Sequence, residues 1–165
     1  MLPPEATAAP VLPRPGVLCL PMAFRAVSED LNEHVNNVEY VRMMQEVAIA
    51  HVAALGWPPE AMRADGVTWV VRSHRIDYHR PCFAGEPLLL FTWVRDFHRF
   101  HSHRAYRFVR AADRAVLADA ESDWVFFDFR RGRPAVIPEP FTVKCPPVPD
   151  DALPDLVANL ELKHD

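Results

Sequence analysis

Cysteine is sparse: Cys19, Cys82 and Cys145 are odd in number and lack metal-type pairing. That argues against a disulfide framework, points to a reducing compartment, and leaves all three expected as buried or incidental. No apolar run approaches the roughly 18 to 20 residues needed to cross a bilayer, so no membrane partner is expected. Residues Met1 to Ala6 lack the basic start and apolar stretch of a secretion signal, and a cytoplasmic location is the resulting expectation. A basic excess is missing too. The net charge of −4 disfavours a nucleic-acid partner, yet it is too small for an acidic disordered chain. No internal repeat is evident. What is present is 165 residues, 50% of them hydrophobic, enough for one domain with a real core.

Proline and periodicity divide the chain. Pro3, Pro4, Pro10, Pro13 and Pro15 crowd the start, so residues 1–16 are expected as an extended or disordered arm. Leu18, Leu20, Met22 and Phe24 alternate over 17–27 as a half-buried strand, with Pro21 marking an edge or a bulge. A helix is predicted over 37–54, stopping near Gly56 and Trp57-Pro58-Pro59, with a helical turn over 58–64. Strand-like runs follow at 67–79, 86–96, 101–111 and 115–129, with a short piece at 134–137 and turn residues between them. One long helix followed by strands in hairpin succession is an α+β pattern, an antiparallel sheet with the helix on one face. The domain is expected to span 17–140. Pro-rich residues 141–165 are expected as an irregular tail with a helical turn at 153–160.

The segment Asp30-Leu31-Asn32-Glu33-His34-Val35-Asn36-Asn37-Val38-Glu39-Tyr40 carries the chemistry, because an acid, an imidazole and three carboxamides precede the helix. Asn36 followed by Glu39 has the spacing of a capping box. Val38, Val41, Met44, Ala48, Val52 and Leu55 then form the expected buried face. Asp30, Asn32 and His34 occupy the loop that leads to the helix start. Unpaired N–H groups there can polarise a carbonyl oxygen, and a carboxylate beside such a site is minimal equipment for acyl hydrolysis.

Asp30 to Tyr40, continued through Glu46, resembles the D-x-x-x-H-V-N-N-x-x-Y…E signature of hotdog-fold thioesterases, in particular the 4-hydroxybenzoyl-CoA thioesterase-like branch and the plant acyl-carrier-protein thioesterases. Ile76 to Pro81 with Gly85-Glu86, Ala118 to Val125, and Gly132 to Pro138 follow in the family's order, so the resemblance covers about residues 17–140. It implies a single hotdog domain, a long central helix packed on a curved antiparallel sheet, in a homodimer or homotetramer whose active site lies between protomers. It implies an acyl-CoA thioesterase that needs no cofactor. Asp30 matches the acid that acts as general base or nucleophile. His34 and Asn32 match the plant enzymes' histidine and asparagine, which orient groups or share a proton. Asn37 stands where some relatives carry a histidine; its backbone N–H is the candidate oxyanion donor. Glu46 matches the acid of the Y…E pattern.

His98, His101 and His103 invite a metal reading, but only His101 and His103 share a strand face and no carboxylate spacing completes a set, so no metal is expected. From Arg95 to Arg133 nine arginines face six acids, and Arg99 and Arg104 are candidates to grip the phosphates of coenzyme A. Trp69, Trp93, Trp124, Phe126 and Phe127 are available for the helix-facing layer and an acyl tunnel. Two alternatives stand beside hydrolysis. Asp30-Leu31-Asn32 with His34 partly resembles the D-x-N-P-x-H motif of hotdog enoyl-thioester hydratases and dehydratases, although the proline is missing and the histidine comes one residue early. A non-catalytic acyl-CoA-binding protein is the other.

Overall fold

The computed structural model describes residues 9–24 and 34–152. Two short strands, β1 (Val11–Arg14) and β2 (Val17–Ala23), precede the long helix α1 (Asn37–Ala54) and the short α2 (Pro59–Asp65). Four long strands follow: β3 (Val67–Tyr78), β4 (Pro87–Phe97), β5 (His101–Arg110) and β6 (Val116–Asp128). Then come β7 (Arg133–Pro134), α3 (Glu139–Lys144) and a 3-10 turn at Asp150–Ala152. The strands pair antiparallel in the order β1-β2-β4-β5-β6-β3, with β7 added beside β6. The expected α+β hotdog architecture is therefore present, with α1 packed on one face of the curved sheet.

Burial explains the layering. Leu18, Leu20 and Met22 of β2, Leu88 and Leu90 of β4, and Tyr106 and Phe108 of β5 alternate toward α1, where Tyr40, Met43, Met44 and Val47 close over them. Each such side chain taken fully out of water contributes roughly 1.5–3 kcal/mol before chain entropy is counted. The opposite residues of β2 and β4, Val17, Cys19, Leu89, Phe91 and Trp93, form a second cluster on the far face under Val148. Trp93 thus lies away from the helix-facing layer expected for it. All three cysteines are free and buried.

The structure corrects four local expectations. The buried face of α1 is Tyr40, Met43, Met44, Val47, Ala48, His51 and Val52. Val38 is 68% exposed and Val41 is also open, because Tyr40 wins the core position and rotates the helix. The capping box is half formed: Asn36 Oδ1 accepts from the Val38 N–H at 3.0 Å, while Glu39 turns to Arg42 at 2.7 Å. Pro21 is at no bulge, and β2 is not the outermost strand, since β1 pairs with it through Val11 and Cys19; Pro21 lies just past that pairing, where that side of β2 is locally an edge and the missing donor is harmless. Finally, segments placed outside 17–140 join the packed unit. Val11–Arg14 adds a strand, and Cys145 and Val148 are buried. Gly16, at φ 81°, turns β1 into β2 so close to the tail that a Cβ would meet the Pro146 carbonyl at 2.3 Å. The helical turn expected at 153–160 lies outside the described residues. No described helix is long and apolar enough to cross a membrane.

The Asn36 cap gives a direct expectation. Asn36→Ala should lower stability by about 1 kcal/mol, read as a lower melting temperature, whereas Asn37→Ala, exposed and off the cap, should leave it within about 0.5 kcal/mol. Equal losses would contradict the cap.

Candidate active site at the helix N-terminus

The start of α1 is held from two sides. The Val35 N–H donates to the Cys82 carbonyl at 3.0 Å, tying the incoming chain to the β3–β4 connection. Tyr40, one turn in, packs its ring against Phe24, Tyr78 and Phe108 at centroid distances of 4.9, 5.0 and 4.9 Å. Between these anchors lies an open groove lined by His34, Asn37, Tyr40, Tyr78, His79 and Arg80.

Asn36 consumes two donors of the first turn, its side chain taking the Val38 N–H and its carbonyl the Glu39 N–H at 2.9 Å. The Asn37 amide makes no hydrogen bond among the described residues. It lies at the positive end of an 18-residue helix, where an N–H without a partner among the described residues can donate to an anionic or carbonyl oxygen. His34 meets Phe83 edge-on at 5.4 Å between ring centroids. Asp30 and Asn32 lie outside the described residues.

Glu46 is not brought to this groove by its own protomer. Nine residues separate it from Asn37, roughly 13 Å of helix rise. Arg42 binds both Glu39 and Glu46, and the second carboxylate oxygen of Glu46 is buried with no hydrogen-bond partner. Arg99 is exposed in the β4–β5 turn, its guanidinium 5.0 Å from the Phe100 ring centre, and shares a surface recess with Arg131 and Arg133. Arg104, expected beside it as a phosphate ligand, is instead inside the protein at 4% exposure: the period of β5 turns it toward α1.

Two groups escaped the sequence reading. His79 lines the groove and its Nε2 lies 3.0 Å from Asp119 Oδ2, a His–carboxylate pair joined across β3 and β6. The signal was present in Ile76 to Pro81, but the partner acid is 40 residues away. His51 is fully buried in α1, with Arg104 donating to its Nδ1 at 2.9 Å. Burial first, and the Arg104 charge second, push its pKa down to about 3. Cys82 also borders the groove; burial, reinforced by Glu86, pushes its thiol up to about 12, so it stays protonated and is no nucleophile at neutral pH.

The histidine-rich hairpin is better equipped than its spacing indicated. The β4–β5 register sets Asp96 opposite His103, and Asp96, His98 and His103 place one ligand atom each within 4.8 Å of one another. The carboxylate is already engaged, with His103 Nδ1 at 2.7 Å and His98 Nε2 at 3.3 Å from Asp96 Oδ1. Both imidazoles thus share one oxygen of Asp96.

A family model described as the thioesterase-like superfamily matches residues 26–152. Among solved structures, a 1,4-dihydroxy-2-naphthoyl-CoA thioesterase from Synechocystis is similar with a TM-score of 0.72 at 16% identity, covering 79% of this chain and 96% of that one. The hypothetical protein SAV2348 from Staphylococcus aureus, solved in complex with CoA, gives 0.71 at 13% identity over 76% and 79% of the two chains. The 12:0-ACP thioesterase from Umbellularia californica gives 0.67 at 18% identity, over 78% of this chain but only 52% of that one. No curated protein matches this chain.

His51 generates a pH prediction. Between about pH 3 and 6.5 the unfolded imidazole binds a proton that the folded one refuses, so stability is lost as pH falls through that window. The slope is at most about 1.4 kcal/mol per pH unit. His51→Asn keeps an acceptor for Arg104 without the titration. Its melting temperature should therefore decline less steeply than wild type from pH 6.5 to about pH 4; parallel curves would contradict a neutral, buried His51.

Proposed function

The chain belongs to the thioesterase-like superfamily, and on that premise we propose that it hydrolyses acyl-CoA thioesters to free acid and CoA thiol. The observation that carries this reading is the unengaged Asn37 N–H at the start of α1, opening on a groove beside His34 and His79. A thioester carbonyl seated there places its oxygen on that N–H. Asp30, seven residues upstream in the sequence, is the group that either activates a water or attacks the carbonyl itself in this reading. Charge on the oxygen is held by the Asn37 amide and the helix dipole. Collapse of the tetrahedral species expels the thiolate, a good leaving group, and leaves the free acid directly or, after attack by Asp30, a mixed anhydride that a water then hydrolyses to the acid and the restored carboxylate. His34 and Asn32 orient the reactants, and His79, held by Asp119, stands ready to relay a proton. No step calls on a cofactor.

Two features support a homodimer, or a homotetramer built from it. Strand β3 spans 12 residues and pairs only with β6 among the described residues, leaving its other edge free. Val38 and Val41 are exposed on the adjacent helix. A second copy pairing there covers both and offers the one route by which Glu46 reaches an active site, that of the partner protomer. For the thiol carrier, the similar structure with bound CoA favours CoA, whereas only 52% of the acyl-carrier-protein thioesterase is covered by the match, so that chain is the longer of the two. Arg99, with Arg131 and Arg133 beside it, is the candidate contact for CoA phosphates.

Thiol release, followed with a colour reagent over short, long and aromatic acyl-CoAs, tests the reaction. Wild type should turn over at least one, and Asp30→Ala should lose roughly 10²-fold or more in kcat while remaining folded. No release from any member by a folded wild type would contradict the proposal. In sedimentation at micromolar concentration the protein should run as a dimer or larger; a monomer would remove the two-protomer site.

A further inference from the structure

A second cavity, of ≈ 240 Å³, lies along the C-terminal half of α1, where Ala48 and Ile49 face Trp69 of β3, Arg104 of β5 and Trp124 of β6. Its walls are mostly apolar and include no acidic side chain. Arg104 is the exception, a full positive charge that is nearly buried. Its hydrogen bonds run from one terminal nitrogen to two neutral acceptors, His51 Nδ1 at 2.9 Å and Thr92 Oγ1 at 3.1 Å. No carboxylate meets it among the described residues. Other partly buried arginines of the sheet and helix are neutralised: Arg42 by Glu39 and Glu46, Arg95 by Glu121 and Asp150, Arg107 by Asp119, Arg110 by Glu86. An uncompensated buried cation is costly, and proteins retain one where something else completes it.

The neighbouring polar atoms have the same bias. Trp69 lines the cavity, and its Nε1 is buried without an acceptor among the described residues. Because Arg104 donates to His51 Nδ1, the neutral ring carries its proton on Nε2, and that atom too is buried without a partner. Gln45, Thr68 and Ser102 add neutral oxygens to the lining, but no anionic acceptor stands there to balance the guanidinium. A guanidinium fork matches a carboxylate with two parallel hydrogen bonds, and walls of this kind suit hydrocarbon or an aromatic ring rather than a hydrated sugar phosphate.

We propose that this cavity binds an apolar molecule ending in a carboxylate, with the carboxylate against Arg104 and the indole N–H of Trp69. His51 acts as a positioning residue that holds the guanidinium in place. The carboxylate has two possible sources. It is the far end of the acyl group of a thioester substrate, which rests on the thioesterase reading, or it belongs to a free carboxylic acid bound on its own, which does not.

The test is calorimetric titration of the full-length protein with hexanoate and with hexanamide, its neutral isostere, in a carboxylate-free buffer. Hexanoate should bind wild type at least about tenfold more tightly than hexanamide, and Arg104→Met should abolish the difference. Trp69→Phe, which keeps the ring, should weaken hexanoate several-fold. It also serves as the readout if Arg104→Met does not fold. Equal binding of the acid and the amide, or hexanoate affinity unchanged in the folded variants, would overturn the proposal. Thiol release separates the sources. A preference for adipoyl-CoA over hexanoyl-CoA that Arg104→Lys reduces assigns the carboxylate to the substrate; Arg104-dependent hexanoate binding without that preference assigns it to a free acid. Binding needs no turnover, so a protein that hydrolyses no thioester yet holds hexanoate through Arg104 would sink the enzymatic reading and leave this one standing.

Discussion

The docking of the first turns of α1 on the sheet is the constraint from which the rest follows. Tyr40, buried among Phe24, Tyr78 and Phe108, fixes the rotation of the helix, and the Val35 to Cys82 hydrogen bond fixes where the chain arrives. With both set, the free Asn37 amide points from a rigid frame. An oxyanion donor is useful in proportion to how little it must reorganise, and a backbone N–H at a packed helix start needs almost no reorganisation. The same rotation leaves Val38 and Val41 exposed and turns His51 inward, so the groove, the exposed apolar stripe and the buried imidazole share one cause.

The two faces of the sheet handle charge differently. On the face away from α1, the β3–β6 strands carry interleaved acids and bases. Arg95 meets Glu121 and Asp150, Arg107 meets Asp119, and His103 meets Asp96. These pairs are at least partly solvated, and each contributes little to stability. On the helix side the buried polar groups are few, His51, Thr92, Ser102, Ser122 and Arg104, and Arg104 is the one charged side chain among them. That contrast makes Arg104 informative: a surface pair is ordinary, whereas a desolvated cation that meets only neutral acceptors needs a reason.

Much of the fold is legible in the residues. The limits of α1 follow from Asn36 and Gly56, and the strand limits follow from alternation and from the turn residues around Pro81, Asp96 and Gly132; these signals are local. What is not legible depends on distant contacts. The periodicity of α1 is plain, yet its phase is set by the pocket that Phe24 and Phe108 make for Tyr40. Arg104 reads as one basic residue among many, because only the pleat of β5 decides that it faces inward. The acid partners of His79 and His103 sit on other strands, so spacing along one strand misses them. His34 and Asn37 line the groove together because both stand on the short stretch that enters the helix, whereas the other wall, Tyr78 to Cys82, comes from a distant part of the chain.

The central claim is that the start of α1 polarises a thioester carbonyl. The most direct measurement is the infrared stretch of an isotope-labelled acyl-CoA carbonyl bound to Asp30→Asn, a variant expected to bind without turning over. A hydrogen bond from the Asn37 amide within the helix field should move that stretch to lower frequency than in water. A bound thioester whose carbonyl frequency stays at or above its value in water would contradict the account.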